Sequence, residues 1–269
     1  LAGMGSFFVL DGEMNVSGMK DMVMLGKIGA SSGSRSEDLD IFENLIGLGK
    51  QVRNKNYEKV LESPMAEFFE LHPQDIEALD KVANKNLPLI IETNRASDIK
   101  HLIDIKNKYD INLILAGVED APLVVDELKE SGIPVIINPM DNIPNSFDEL
   151  SSSLELASIL NKAGITIMFD SSRSHNYYLM RQGAGNAVAY GMNYEDAISG
   201  MSKIVADVFG IENRGSLVKG NFADVVIWES DPLEPASVPL YVLIEGSEMD
   251  LVTRSSRLKD RYIEKMINN

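Results

Sequence analysis

No cysteine occurs anywhere in the 269 residues. That absence removes disulfide frameworks, thiolate zinc sites and cysteine nucleophiles together. It does not decide the compartment, which stays open between cytoplasm and periplasm. Basic residues are also few: 25 Lys and Arg stand against 41 Asp and Glu, for a formal charge of -16. A nucleic-acid partner would need a basic footprint, and none is expected here. The same deficit disfavours an anionic membrane surface. Long apolar runs are missing too. The longest, 87–91 and 133–137, have the length of strands and fall far short of a bilayer span. No signal peptide opens the chain, and Leu1 is not an initiator methionine, so the true start is expected upstream.

What the chain does contain is a core. Hydrophobic residues make up 44% and charged residues 25%, enough for one large domain or one domain with a small appendage. Residues 1–34 are rich in Gly, Ser and Met; 6–10 reads as one short strand, Asp11-Gly12 as a turn and 31–36 as a loop. Helical patterns follow at 37–52, 55–70 and 74–84, with Pro73 suited to the first turn of the third. A rhythm then begins. Apolar runs at 87–91, 111–116, 133–137 and 165–169 alternate with helical stretches at 96–109, 121–131, 146–162 and 176–190. Short apolar strands alternating with amphipathic helices predict a parallel sheet covered on both faces, either open and doubly wound or part of a barrel. The rhythm changes after a further helix, 194–209. Strands at 223–228 and 240–244 flank a Pro-rich loop, and a helix at 256–267 ends the chain.

Residues 183–246 are the most specific stretch. A helix ends in Phe-Gly (Phe209, Gly210), and a Gly-Ser-Leu turn follows at 215–217. Lys-Gly-x-x-Ala-Asp at 219–224, an apolar strand, Asp-Pro-Leu at 231–233 and a strand ending in Glu245-Gly246 complete the pattern. This ordered string resembles the C-terminal region of the amidohydrolase superfamily, in particular its imidazolonepropionase-like branch. The likeness extends back through 94–105, 113–121, 133–150 and 167–176. Read physically, the glycines suit turns, Asp224 a strand start and Asp231-Pro232 a loop; these residues mark the family and are not expected to be catalytic. The resemblance implies an α/β fold, a partial TIM-type barrel made of the last four of eight βα units. Residues 1–209 would form it, with 210–269 as a C-terminal β appendage and terminal helix.

The resemblance also implies a metal hydrolase. In the family one or two divalent metals, zinc among them, sit at the C-terminal ends of the strands, activate water and polarise a carbonyl. The ligands are a His-x-His pair on the first strand, a His on the fifth, a His on the sixth and an Asp on the eighth. This sequence departs from that set. Its three histidines, His72, His101 and His175, include no His-x-His and none ends a predicted strand. The fifth-strand position falls near Glu92 and the sixth near Gly117, which has no side chain; only the eighth-strand aspartate, Asp170, is in place.

Some candidates stand without the family. A carboxylate after a parallel strand faces the crevice where such folds bind ligands, so Asp170 is a candidate metal ligand and proton acceptor, or else a helix cap. Glu92, after the strand at 87–91, is a candidate replacement ligand or a partner for Arg95. Asn94 and Arg95 lie on the same rim and could orient an anionic or amide substrate. Asn138 is a rim contact, and His175, beside Arg173, could serve as a substrate or acid/base group. His101 reads as a surface residue and His72 as the start of a helix. Gly183-x-Gly185 lies within a helical stretch, which rejects a dinucleotide loop. Asn15-Val16-Ser17 fits a glycosylation acceptor only as chance would supply one.

The expected function is a metal-dependent hydrolase of non-peptide carbon–nitrogen bonds, amides or cyclic amides. The chain is expected to be a fragment without the His-x-His ligands and inactive alone, taking a small-molecule substrate and forming a homo-oligomer that covers an exposed sheet edge. The rivals are a degenerate, inactive small-molecule-binding member of the family and an open-sheet binding module.

Overall fold

The computed structural model describes residues 3–10, 16–29, 33–52, 57–141, 143–171 and 179–267. An antiparallel pair opens it: β1 (Gly3–Leu10) and β2 (Val16–Lys27). Four helices follow, α1 (Arg35–Val52), α2 (Tyr57–Leu61), α3 (Pro64–Phe68) and α4 (Pro73–Ala83). Strand and helix then alternate. β3 (Leu89–Thr93) leads to α5 (Ala96–Tyr109), and β4 (Leu113–Gly117) to a 3-10 turn (Ala121–Val124) and α6 (Val125–Ser131). β5 (Val135–Ile137) leads to α7 (Leu156–Ala163), and β6 (Ile167–Phe169) to α8 (Leu179–Ala189). After α9 (Tyr194–Gly200) and α10 (Lys203–Phe209) come β7 (Val225–Trp228), β8 (Pro239–Ile244), β9 (Ser247–Glu248) and α11 (Arg254–Ile267).

The first six strands form one sheet in sequence order, and β2 through β6 are parallel neighbours. The parallel order is what the alternating pattern predicts, and the partial β/α barrel is what the family resemblance implies. It holds five parallel strands, one more than the apolar runs reveal, because β2 is hidden. Its sequence is broken by Gly and Met, but Met24, Gly26 and Ile28 are buried while Leu25 and Lys27 are not, a period-two alternation. The other strands begin two residues later than the apolar runs. Leu87, Ile111, Ile133 and Ile165 are buried core residues just before the ladders start.

Alternate residues sort the two faces. Leu89, Ile91, Leu113, Leu115, Val135, Ile137, Ile167 and Phe169 join one core with the helices. Ile90, Glu92, Ala116 and Ile136 therefore face the opposite, inner side. A satellite cluster of Leu45, Leu48, Val52, Val60, Ala66, Ile76 and Leu79 holds α1 to α4.

Three predicted helices are corrected. The stretch 55–70 is broken at Ser63, whose hydroxyl caps Ala66 N–H at 3.2 Å, with Pro64 in the first turn of α3. The stretch 194–209 is two helices, ending as expected at Gly210 in the left-handed region. The stretch 146–162 is helical only from Leu156. Before it, the Ser146 hydroxyl accepts from Asp148 N–H and the Ser153 hydroxyl from Glu155 N–H, local bonds that compete with a helix.

In the second sheet, β8 and β9 form a hairpin through Glu245 and Gly246, both with positive φ, as a type I′ turn requires. Asp224 accepts from Glu245 N–H at 2.8 Å, and Arg214 pairs with both carboxylates. The sequence marks at 219–224 and 245–246 thus have a structural task.

Candidate functional site

The inner side of the half-barrel ends in a row of polar residues. Register places Lys27 of β2 beside Glu92 of β3, and Glu92 beside Ala116 of β4. The Lys27 ammonium lies 2.5 Å from the Glu92 carboxylate. Asp170 follows β6, its N–H donating to the Ile137 carbonyl at 3.0 Å. A cavity of about 280 Å³ opens at this level. Five carboxylates line it: Glu92, Glu119, Asp141, Glu149 and Asp170. Three carboxamides, Asn94, Asn138 and Asn145, complete its polar wall, over Ala116, Gly117 and Ile136.

The structure thus brings together four of the predicted residues, Glu92, Asn94, Asn138 and Asp170. Arg95 stands outside the cavity lining. Its Nε donates to Asp148 at 2.6 Å, and Arg35 donates to the same carboxylate and, at 2.9 Å, to buried Asp98. Burial works to raise the Asp148 pKa, but these two guanidinium groups hold it below the usual carboxylate range. The clamp fastens the 139–155 loop, whose Glu149 forms part of the cavity wall. Glu149 accepts from Asn145 N–H at 2.9 Å and from Asn94 Nδ2 at 3.4 Å. His175 lies outside the described residues. His101 is exposed on α5, and His72 is the N-cap of α4, its N–H donating to Asp75 at 2.8 Å.

The sequence did not point to Glu119, Asp141, Asn145 or Glu149, and of these Glu119 is the buried one. Gly117 (φ 87°) and Val118 (φ 58°) both turn through the left-handed region at the end of β4. Such a φ is rare for a β-branched residue and costs on the order of 1–3 kcal/mol. Two bonds hold the strained turn: Val118 N–H to Thr93 O at 2.8 Å and Asp120 N–H to Asn94 O at 2.9 Å. They carry Glu119 to the cavity, where it is only 6% exposed and its Oε2 has no hydrogen-bond partner. Burial, then the charges of Asp141, Glu149 and Asp120, push its pKa up to about 7, against a hydrogen bond with Ser152. Its one sequence signal was a carboxylate two residues beyond the glycine that ends an apolar strand.

The same turn explains Gly117. A Cβ there would lie 2.2 Å from Asn94 Oδ1. Gly117→Ala is therefore expected to lower stability by about 1–3 kcal/mol, from positive φ and overpacking together. Urea unfolding checks this; a neutral substitution would mean the turn is relaxed.

Metal donors are poorly placed. Among the described residues, no group of three or more His, Cys, Asp or Glu side chains is arranged to hold an ion. Glu92 is committed to Lys27, and the glycine turn leaves the sixth-strand position without a side chain.

Comparison with known proteins agrees with this architecture. The model of the amidohydrolase family matches residues 37–253. The chain superposes on the crystal structure of an amidohydrolase from Thermotoga maritima with a TM-score of 0.74 at 22% identity, covering 86% of this chain and 63% of that one. A second amidohydrolase crystal structure gives 0.51 at 13% identity, covering 66% and 49%. Over 65 residues the chain is 35% identical to amidohydrolase tasK of Hapsidospora irregularis, 24% of this chain and 7% of that protein. The chain therefore spans less than two thirds of the relatives it matches.

Proposed function

This chain belongs to the amidohydrolase family, and on that premise we propose that the protein is a hydrolase of non-peptide carbon–nitrogen bonds, amides or cyclic amides, with the acidic cavity as its substrate site. Family membership suggests a divalent metal. The donor set among the described residues does not fit one, zinc included, so the step argued here runs through the carboxyl groups of those residues. Glu119 carries the proposal. A buried carboxyl titrating near neutrality can accept a proton and return it. It would take a proton from water as the oxygen attacks the carbonyl carbon, then give that proton to the nitrogen as the carbon–nitrogen bond breaks. Asp170 lines the same cavity and can hold the water.

A second reading is a family member that binds a small molecule without turnover. Gly117 and the Lys27–Glu92 pair, at the positions where family ligands are expected, favour it. An assay of small N-acyl amines and lactams separates the two. Hydrolysis by the carboxyl route resists chelators and falls by about 10²–10⁴-fold in Glu119→Gln. Equal turnover in that variant would remove Glu119 from the chemistry. Turnover that requires added zinc would return the chemistry to a metal, and binding without turnover would select the second reading.

A further inference from the structure

The helix α11 buries none of its 14 residues. At the α-helical repeat, Leu258, Tyr262, Ile263, Met266 and Ile267 fall on one half of its circumference. Arg254, Arg257, Arg261 and Lys265 fall on the other half with Asp260 and Glu264, and Lys259 lies within the apolar half. A helix of a globular domain turns such an apolar stripe to the core. Here Tyr262, Ile263, Met266 and Ile267 are all exposed, Met266 at 80% and Ile267 at 77%. Among the described residues, none of the five basic side chains has an ion pair. Arg261 and Lys265 instead each lie 5.9 Å from the centre of the Tyr262 ring, where the two halves meet. Five cations and two carboxylates give the helix a net charge of +3, in a chain of -16 overall. The sign of the charge is thus reversed on the helix whose apolar half is uncovered.

We propose that α11 docks on an anionic lipid surface, lying along it with its apolar half among the acyl chains and its cations at the headgroups. The charge of the whole chain disfavours such a surface, but α11 is complementary to it, and physiological salt screens the remainder with a Debye length of about 8 Å. Apolar and basic residues on opposite halves of an exposed helix are the pattern of helices that lie in the membrane interface. Tyr262, with a cation on either side, suits the headgroup level. The long stem of Lys259 can cross the apolar half and deliver its ammonium to the headgroups. A nucleic acid would match the cations and leave the apolar side chains in water. A second copy offers only the acidic surface that α11 already leaves unpaired in its own chain, where the tether gives the higher local concentration. The inference is independent of the chemistry in the cavity.

Co-sedimentation of the protein with vesicles tests this, using phosphatidylcholine alone and phosphatidylcholine with about 30% phosphatidylserine. Binding to the mixed vesicles is expected to be at least about tenfold stronger, and to weaken as salt is added. The double substitution Arg257→Glu with Arg261→Glu should remove the preference for the anionic lipid. Met266→Asp with Ile267→Asp should lower binding to the mixed vesicles at least about tenfold. All four side chains are exposed, so both variants are expected to fold, which circular dichroism checks. No binding to either vesicle, equal binding to both, or binding that either variant leaves unchanged would overturn the proposal. Light scattering covers the remaining route: a wild-type dimer that dissociates in the Met266 and Ile267 variant would assign the apolar half to a second copy and overturn it too.

Discussion

At pH 8, Glu119→Gln is expected to be more stable than the wild type, by up to about 3 kcal/mol. The side chain titrates near 4.5 when free in the unfolded chain and near 7 in the fold, because burial and the charges of Asp141, Glu149 and Asp120 oppose its ionisation. Below 4.5 the carboxyl is neutral in both states, and the fold carries no penalty. Between 4.5 and 7 the unfolded chain releases the proton while the folded chain keeps it, so stability falls as pH rises. Above 7 the penalty is full and constant. Glutamine copies the neutral acid and cannot ionise, so the difference between variant and wild type should open across this window and be absent at its acid end. Urea unfolding of both proteins at several pH values isolates Glu119, since the other titrating groups cancel in the comparison. A pH-independent difference would show an ordinary carboxylate and would weaken its role in proton transfer. A residue that destabilises its own fold at working pH is what a functional site leads one to expect.

Arg35→Met is expected to cost about 3–5 kcal/mol of stability, the range for removing one partner of a buried ion pair. Asp98 would remain, only 3% exposed, without the guanidinium that now lies 2.9 Å away. Asp148 would lose one of its two clamps, and the 139–155 loop with it part of its hold on the cavity wall. Adding Asp98→Asn should recover part of the loss, because the stranded charge is then gone. Chemical denaturation of the single and double variants measures both effects. Losses that simply add would show that the two side chains do not depend on each other.

Much of the fold was legible in the sequence. The apolar runs that became β3 to β6 have the length, composition and spacing of buried parallel strands, and the glycine after Phe209 ended its helix as expected. The string from 183 to 246 identified the family for structural reasons: Asp224 and Glu245 are held by one arginine, and Gly246 completes a hairpin turn. β2 was lost because it packs Met and Gly where strand propensity looks for branched or aromatic residues. The front of the predicted helix at 146–162 was lost because its apolar spacing is overridden by serine hydroxyls and by Asp148 reaching two arginines. The site was half legible. Asp170, Glu92, Asn94 and Asn138 follow apolar runs and so announce themselves, whereas Glu119 reaches the cavity through a strained turn at Gly117 and Val118. No periodicity predicts that turn.

The sheet order carries a consequence for how this chain is built. Each strand from β1 to β6 has its sequence neighbour as its partner. During synthesis, every strand of the first sheet that leaves the ribosome finds its partner already made, and no later strand must insert between two earlier ones. Contacts along β3 to β6 therefore span a single helix and close short loops. The exception is the join of β2 to β3, which waits for all of α1 to α4. That is the longest loop closure among the parallel joins, and closure entropy grows with loop length. Lys27 meets Glu92 only when it completes, so the acidic mouth gains this ion pair at the step that brings the two parts of the sheet together.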